Sequence, residues 1–418
     1  MTLSKTLKTL AIGAGLGLML GGLAQAQMAK QPAPPPEMDA WLKAAELGPY
    51  DTGKHDWAAI EKKAIEEGEV IIYSASSRMA KVAKAFMKKY PGIKATSYDL
   101  GSVKTIEKTV REQNANLFNV DIVTTGGSGQ VVHELWAKNR IVNFVPDMFF
   151  DRIPVENREP VLIRVLEAVV FMYNGETYPD QPPVKNMWEL TEERWKGKVV
   201  MKDPLQSLTN YMGVATLVQH ADELAAAYKR YAGKDIVLSD GVPDAGYEFI
   251  YRLLHNDLVI LKSGSKSAAA SGKPGQQNPP NSFGAMTYYR YNFSKGLVNE
   301  FFKDIDPAAK IIYPTYTAIA RQAPNPNAAK LFTAFLLGST ELTADTKLEK
   351  PYKEGRSAEL LLGLLPYFEP GSKSPRDDVP FPEGGDAWDA MKAWTVDPDF
   401  MFREGPKVRD FWIQESAG

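Results

Sequence analysis

Hydroxyls and glycines gather at three places where an extended run gives way to a helical one. Ser74-Ala75-Ser76-Ser77-Arg78 closes EVIIYS, Thr124-Thr125-Gly126-Gly127-Ser128-Gly129 closes VDIVT, and Asp203-Pro204-Leu205-Gln206-Ser207-Leu208-Thr209-Asn210 follows VVMK. Each segment precedes a helical pattern, so its unpaired N–H groups and the positive end of the helix dipole suit an anion. The same residue types also serve as plain helix caps; it is the convergence of three such loops that favours a ligand. A fourth feature is Tyr288-Tyr289-Arg290-Tyr291, after the strand pattern ending at Thr287. Paired phenols there suit Fe³⁺, a stacked aromatic ligand or hydrogen bonds. Arg290 suits a carboxylate or phosphonate gripped as a bidentate fork. Successive residues on a strand face opposite ways, so both tyrosines reach one ligand only if the strand has already ended.

Catalytic patterns are missing from the sequence. His55, His133, His220 and His255 have no metal spacing, and the chain has no cysteine, which excludes thiol catalysis and cysteine-based zinc sites. No nucleophile elbow, zinc-protease or nucleotide-phosphate motif falls between a strand and a helix. No catalytic residues and no enzyme activity are expected.

The elements that would carry these loops alternate. WAAIEKKAIEE reads as a helix ended by Gly68, and EVIIYSAS as a buried strand. Met79, Val82, Ala83, Phe86, Met87 and Tyr90 then make one apolar helix face, stopped by Pro91-Gly92. A strand over 93–99, a helix over 102–114, a strand over 120–124 and a helix over 130–138 follow. This alternation predicts a parallel sheet with right-handed crossovers and helices on both faces. Residues 161–173 and 310–320 read as extended segments joining this unit to a second one. The second unit has a strand near 197–201, helices over 211–220, 221–231 and 246–254, and a strand near 281–287. A strongly amphipathic helix covers 327–338. The run KSGSKSAAASGKPGQQNPPN, poor in apolar residues, is expected to be a mobile surface loop over 262–281.

The N-terminus sets the compartment. Lys5 and Lys8, the apolar run Leu10–Leu23 and Ala24-Gln25-Ala26 have the layout of a cleavable signal peptide. The apolar run is shorter than the ~20 residues a spanning helix needs. With no cysteine for lipid attachment, a free periplasmic protein is expected. Losing two lysines takes the formal charge from −2 to −4 in the mature chain. That leaves no basic field for nucleic acid. Hydrophobic residues at 44% and charged residues at 24% are ordinary globular values. QPAPPPEM is expected to be an extended, solvated leader.

EGEVIIYSASSRMAKVAKAFMKKYPGIKA, VDIVTTGGSG, ELTEERWKGKVVMKDP and QAPNPNAAKLFTAFLLGSTE, in that order, resemble the extracellular solute-binding proteins that include ferric-ion binders. The resemblance implies the type II two-lobed periplasmic binding protein fold, α/β, with two crossover strands as a hinge. After the signal peptide over 1–26 and a Pro-rich leader over 27–55, it implies a first lobe over 56–160, a second over 161–307 and a return to the first over 308–345; the tail over 346–418, longer than the family pattern, is expected to be a C-terminal helical extension. It implies a monomer that delivers a small molecule or ion to an ABC permease in the inner membrane, with no resident cofactor and Fe³⁺ as a transported ligand. Tyr288 and Tyr289 match the phenolate pair of ferric members. Ser74, Ser76, Ser77, Thr125, Gly126 and Ser128 match the anion-holding loops of the first lobe, and Ser207 and Thr209 those of the second. Gly127, Asp203, Arg78 and Arg290 complete the candidate ligand-binding set. The sequence departs from the ferric pattern in lacking a histidine in the first loop, and in carrying SGKPGQQNPPNS where an acidic stretch is usual. Ferric iron, with or without an anion, is the expected ligand; the alternatives are a small organic anion, carboxylate or phosphonate, and delivery to a sensor receptor instead of transport.

Overall fold

The computed structural model describes residues 31–416; the expected signal peptide and the first residues of the leader lie outside that range. Strands β1 (Glu69–Ser74), β2 (Lys94–Asp99) and β3 (Ile122–Thr125) alternate with helices α2 (Trp57–Glu67), α3 (Met79–Lys89) and α4 (Ser102–Asn114). β1 pairs parallel with both β2 and β3. Asp56 caps α2 by accepting the Ala59 N–H at 3.0 Å, and Gly68 ends it at φ 76°. These are the start and stop signals that local sequence chemistry provides. The helix expected at 130–138 is a short turn, Ser128–Gln130, continuing as a π-helix over Val131–Trp136.

Two long strands, β5 (Ile163–Asn174) and β10 (Lys310–Ala320), run antiparallel at the centre of the sheet. One end of β10 pairs with β3, and the opposite end of β5 pairs with β8 (Asn281–Ala285). Beyond β8 lie β6 (Val199–Lys202) and β7 (Val259–Leu261), paired parallel. The strand order β2-β1-β3-β10-β5-β8-β6-β7 thus carries two α/β lobes joined by the β5–β10 pair. The register of that pair slips between Thr315 and Tyr316, at the level where the partner strands change lobe. Helices α5 (Leu208–Gln219), α6 (Ala221–Ala232) and α7 (Ala245–His255) flank the second lobe, and α10 (Pro326–Leu336) returns to the first, packing on α2.

Three expectations are corrected. The leader is not all extended. Residues Pro36–Ala45 form helix α1, with Pro36 in its first turn, where the missing N–H is not needed. Met38, Leu42, Ala45 and Leu47 are buried in the first lobe's core with Ile60, Phe332 and Phe335. The run expected as a mobile loop over 262–281 contains helix α8 (Gly264–Gly272). Its small residues permit close packing: Ser267, Ala268 and Ser271 are fully buried, and Ser271 Oγ lies 3.0 Å from Ser282 Oγ and 2.7 Å from Asn299 Oδ1. The C-terminal residues are no separate helical appendage. Strand β11 (Ser372–Lys373) pairs with β5, and β12 (Ala393–Thr395) pairs with β10. Trp388, Trp394 and Trp412 join the second lobe's core beside Phe171 and Phe249.

Candidate functional site

A cavity of about 220 Å³ opens between the lobes, at the carboxyl ends of β1, β3 and β6. Ligands collect at that edge in open α/β sheets because loops and helix N-termini meet there. Of the candidate residues, the cavity walls include Ser76, Arg78, Gly126, Ser207, Thr209, Tyr288 and Arg290.

The other candidates build those walls from behind. Ser74, at the end of β1, is buried. Its hydroxyl accepts the Ser76 N–H at 3.0 Å and donates to the Ser76 carbonyl at 3.2 Å, which fixes the turn. Ser77 points to solvent. Thr125 donates to the Gly126 carbonyl at 3.0 Å. Gly127 has φ 92°, and a Cβ there would lie 3.3 Å from Leu208 Cδ1 of the opposite lobe. Ser128, buried, approaches Met212 Sδ at 3.9 Å, so the first-lobe loop already touches helix α5. Asp203 shapes its own turn by accepting the Leu205 N–H at 2.9 Å.

Tyr288 and Tyr289 part company. The strand ends at Ala285 and a 3₁₀ turn, Met286–Tyr289, follows. Tyr288 faces the cavity, and burial pushes its hydroxyl up to about 12. The Tyr289 ring packs at 4.7 Å on Phe301 and 5.7 Å from Phe293, and is not part of the cavity wall.

Charges below the cavity form a chain. Arg78 donates to Glu369 Oε1 at 2.6 Å and to Glu167 Oε1 at 3.1 Å, and Arg290 reaches the same Glu369 oxygen at 3.4 Å. Burial would weaken the Arg78 charge, but Glu167 and Glu369 outweigh it and hold the guanidinium ionised. Arg164, on β5, is different. It is 3% exposed, its Nε donates to Thr124 Oγ1 at 3.1 Å, and its guanidinium lies 3.8 Å over the Tyr367 ring. Its Nη1 is buried with no partner. Burial lowers its pKa, partly offset by the fields of Tyr367 and Glu167. Lys202, Thr124, Thr287, Tyr313, Thr315 and Tyr367 complete the walls that matter here.

Sequence reasoning missed Arg164, Glu167, Lys202, Tyr367 and Glu369. One signal was present: Arg164 and Glu167 are the two charges in the otherwise apolar run VLIRVLEAVVFMY. An ionisable residue on a buried strand needs a partner or a ligand. Nothing local announces Tyr367 or Glu369, which arrive from the C-terminal segment. The histidines stand apart from the cavity: His55 lies between Asp51 and Asp147, His133 stacks on Phe402, His220 on Trp394 and His255 on Tyr251.

Two α/β lobes, a central antiparallel pair and a polar interlobe cavity define the two-lobed periplasmic binding protein fold. No protein-family model matches the chain, and no curated protein matches it in sequence. Solved structures do match. Iron-bound HitA from Pseudomonas aeruginosa superposes with a TM-score of 0.60 at 14% identity, covering 83% of this chain and 99% of that one. The Trichodesmium protein IdiA (FutA), in complex with iron and citrate, gives 0.57 at 15% identity over the same shares. The substrate-binding protein of an ABC transporter from Agrobacterium tumefaciens gives 0.58 at 11% identity, covering 85% and 97%.

Proposed function

We propose that this chain is the periplasmic solute-binding component of an ABC importer, and that it captures a small organic anion between its lobes. The observation that carries the ligand class is Arg164, a buried guanidinium in the cavity wall with an unpartnered Nη1. A buried charge without a counter-ion is costly, and a carboxylate or phosphonate beside the Arg164 guanidinium offsets that cost. Ser76, Thr124, Thr209 and Thr287 line the same space with hydroxyls, and α5 aims its N-terminus at it.

The fold and its neighbours support the transport role, and a signal peptide over residues 1–26 would place the protein in the periplasm. A ligand touching both lobes favours the shut form by differential affinity. Ferric iron fits this cavity less well than an anion. Tyr288 is unaccompanied by Tyr289, and although Tyr313, Tyr367 and Glu167 also line the space, Arg164 and Lys202 stand in it without a salt-bridged carboxylate among the described residues. A hard trivalent cation prefers anionic oxygens to such a cationic wall.

Isothermal titration with small carboxylates and phosphonates tests the reading against ferric citrate. Binding of an anion that is lost in Arg164→Met supports it. A coloured ferric complex, with no binding of any iron-free anion, overturns it.

A further inference from the structure

The carboxylates around the cavity divide its cations into two sets. Arg78 and Arg290 come from different lobes, yet both donate to one oxygen of Glu369, Oε1, at 2.6 and 3.4 Å. Glu167 Oε1 takes the second arm of Arg78 at 3.1 Å. Glu369 follows the 3₁₀ turn Leu362–Tyr367, and Tyr367 presents its ring to Arg78 at 4.7 Å and to Arg164 at 3.8 Å. The arginines that first suggest themselves as ligand contacts are thus already neutralised by the C-terminal segment.

Arg164 and Lys202 are left. Among the described residues neither forms a salt bridge, and Arg164 Nη1 is buried without a partner. They come from opposite sides: Arg164 sits in the half of β5 tied to the first lobe through Thr124, and Lys202 ends β6 in the second. Both line the same cavity. Four cations against two carboxylates leave an excess of two positive charges, one from each lobe, and the α5 N-terminus adds to the same sign.

We propose that the cleft selects a dianion, a short dicarboxylate or a phosphonate, which bridges Arg164 and Lys202, and that Glu369 sets this charge class by occupying Arg78 and Arg290. This rests on the anion reading above. Glu369 is here a positioning residue. It neutralises the two arginines within the cavity wall, and its loss raises the excess from two positive charges to three, because Glu167 still holds Arg78. The small volume limits the dianion to a few heavy atoms between its charged ends.

Titrations at mildly alkaline pH and fixed ionic strength test this with acetate and pyruvate, with malonate, succinate and methylphosphonate, and with tricarballylate. The wild type binds at least one dianion about tenfold or more tighter than the monocarboxylates. Glu369→Gln gains about tenfold for tricarballylate relative to succinate. Lys202→Gln, at the half-buried end of β6, keeps the test open should the Glu369 variant fail to fold. It loses about tenfold for dianions and little for monocarboxylates. Monocarboxylates bound as tightly as dianions, an unchanged charge profile in folded Glu369→Gln, or an equal loss for both classes in Lys202→Gln overturns the inference and leaves the anion reading standing. If a folded wild type binds none of these anions, the anion reading falls and takes the inference with it.

Discussion

Arg164 and Tyr289 separate binding from support at single residues. Arg164→Met removes a buried charge along with the ligand contact proposed for it. Truncating one partner of a buried charged pair weakens binding by about 2–5 kcal/mol. The apo protein should not suffer in parallel, because the substitution also removes the desolvation cost of a buried guanidinium whose Nη1 has no partner among the described residues. Titration calorimetry and apo thermal melts together check this, and a parallel fall in both would make Arg164 purely structural. Tyr289→Phe is expected to leave anion affinity within about 0.5 kcal/mol. Its ring packs on Phe301 and Phe293 and lies outside the cavity wall. Ser76, Arg78, Gly126, Ser207, Thr209, Tyr288 and Arg290 were legible in the sequence because they follow strand ends, where the fold must place its loops. Ser74, Thr125 and Ser128 were legible as polar residues of the right loops, but the hydroxyls of Ser74 and Thr125 are spent on the turns and that of Ser128 meets Met212 Sδ. Arg164 lay hidden in a strand that reads as apolar.

At the scale of elements, buried carboxylates and small-residue helices hold the scaffold. Asp121, just before β3, accepts the Ile71 and Asn325 N–H groups at 2.7 Å each, tying β1 to the start of α10. Burial pushes its carboxyl up to about 6, against the pull of those donors. The folded chain therefore binds this proton more tightly than the unfolded chain does. That stability is fully present below about pH 4 and is lost as pH rises through about 6, by up to about 3 kcal/mol. Urea unfolding at about pH 4 and about pH 7 should show this loss in the wild type and not in Asp121→Asn; equal pH dependence in both would refute it. Helix α8 has a site-level role. A Cβ on Gly264 would fall 1.8 Å from Tyr288 Cζ, so this glycine is what lets the phenol tip approach the start of the helix. Gly264→Ala should cost about 1–3 kcal/mol through overpacking and shift Tyr288 in a crystal structure; an unmoved ring would show that the helix yields instead. The strands and crossovers were legible because apolar runs and their punctuation are local signals. Helices α1 and α8 were not, since proline, serine and glycine read as loop until a first-turn position or a close backbone contact gives them a use.

For the whole molecule, the C-terminal segment decides cohesion. It adds strands to both central crossovers, sends Glu369 beneath the cavity, and buries Trp388, Trp394 and Trp412 in the second lobe. Losing one buried tryptophan costs about 3–5 kcal/mol, against a total stability of about 5–15 kcal/mol. Deleting residues 346–418 should therefore abolish soluble expression, and Trp394→Ala should lower the melting temperature sharply. A folded truncated protein that still binds ligand would show the segment to be dispensable. The two-lobed plan was readable from the order of strands and helices. The weave of this segment was not, because its contacts span hundreds of residues and leave no local periodicity.

The proposed capture of an anion through Arg164 is tested most directly on protein purified without refolding. Native mass spectrometry of the wild type purified without refolding should show a small-anion adduct, and the Arg164→Met protein should emerge bare. A ferric adduct, or an anion adduct that survives in Arg164→Met, would contradict the account.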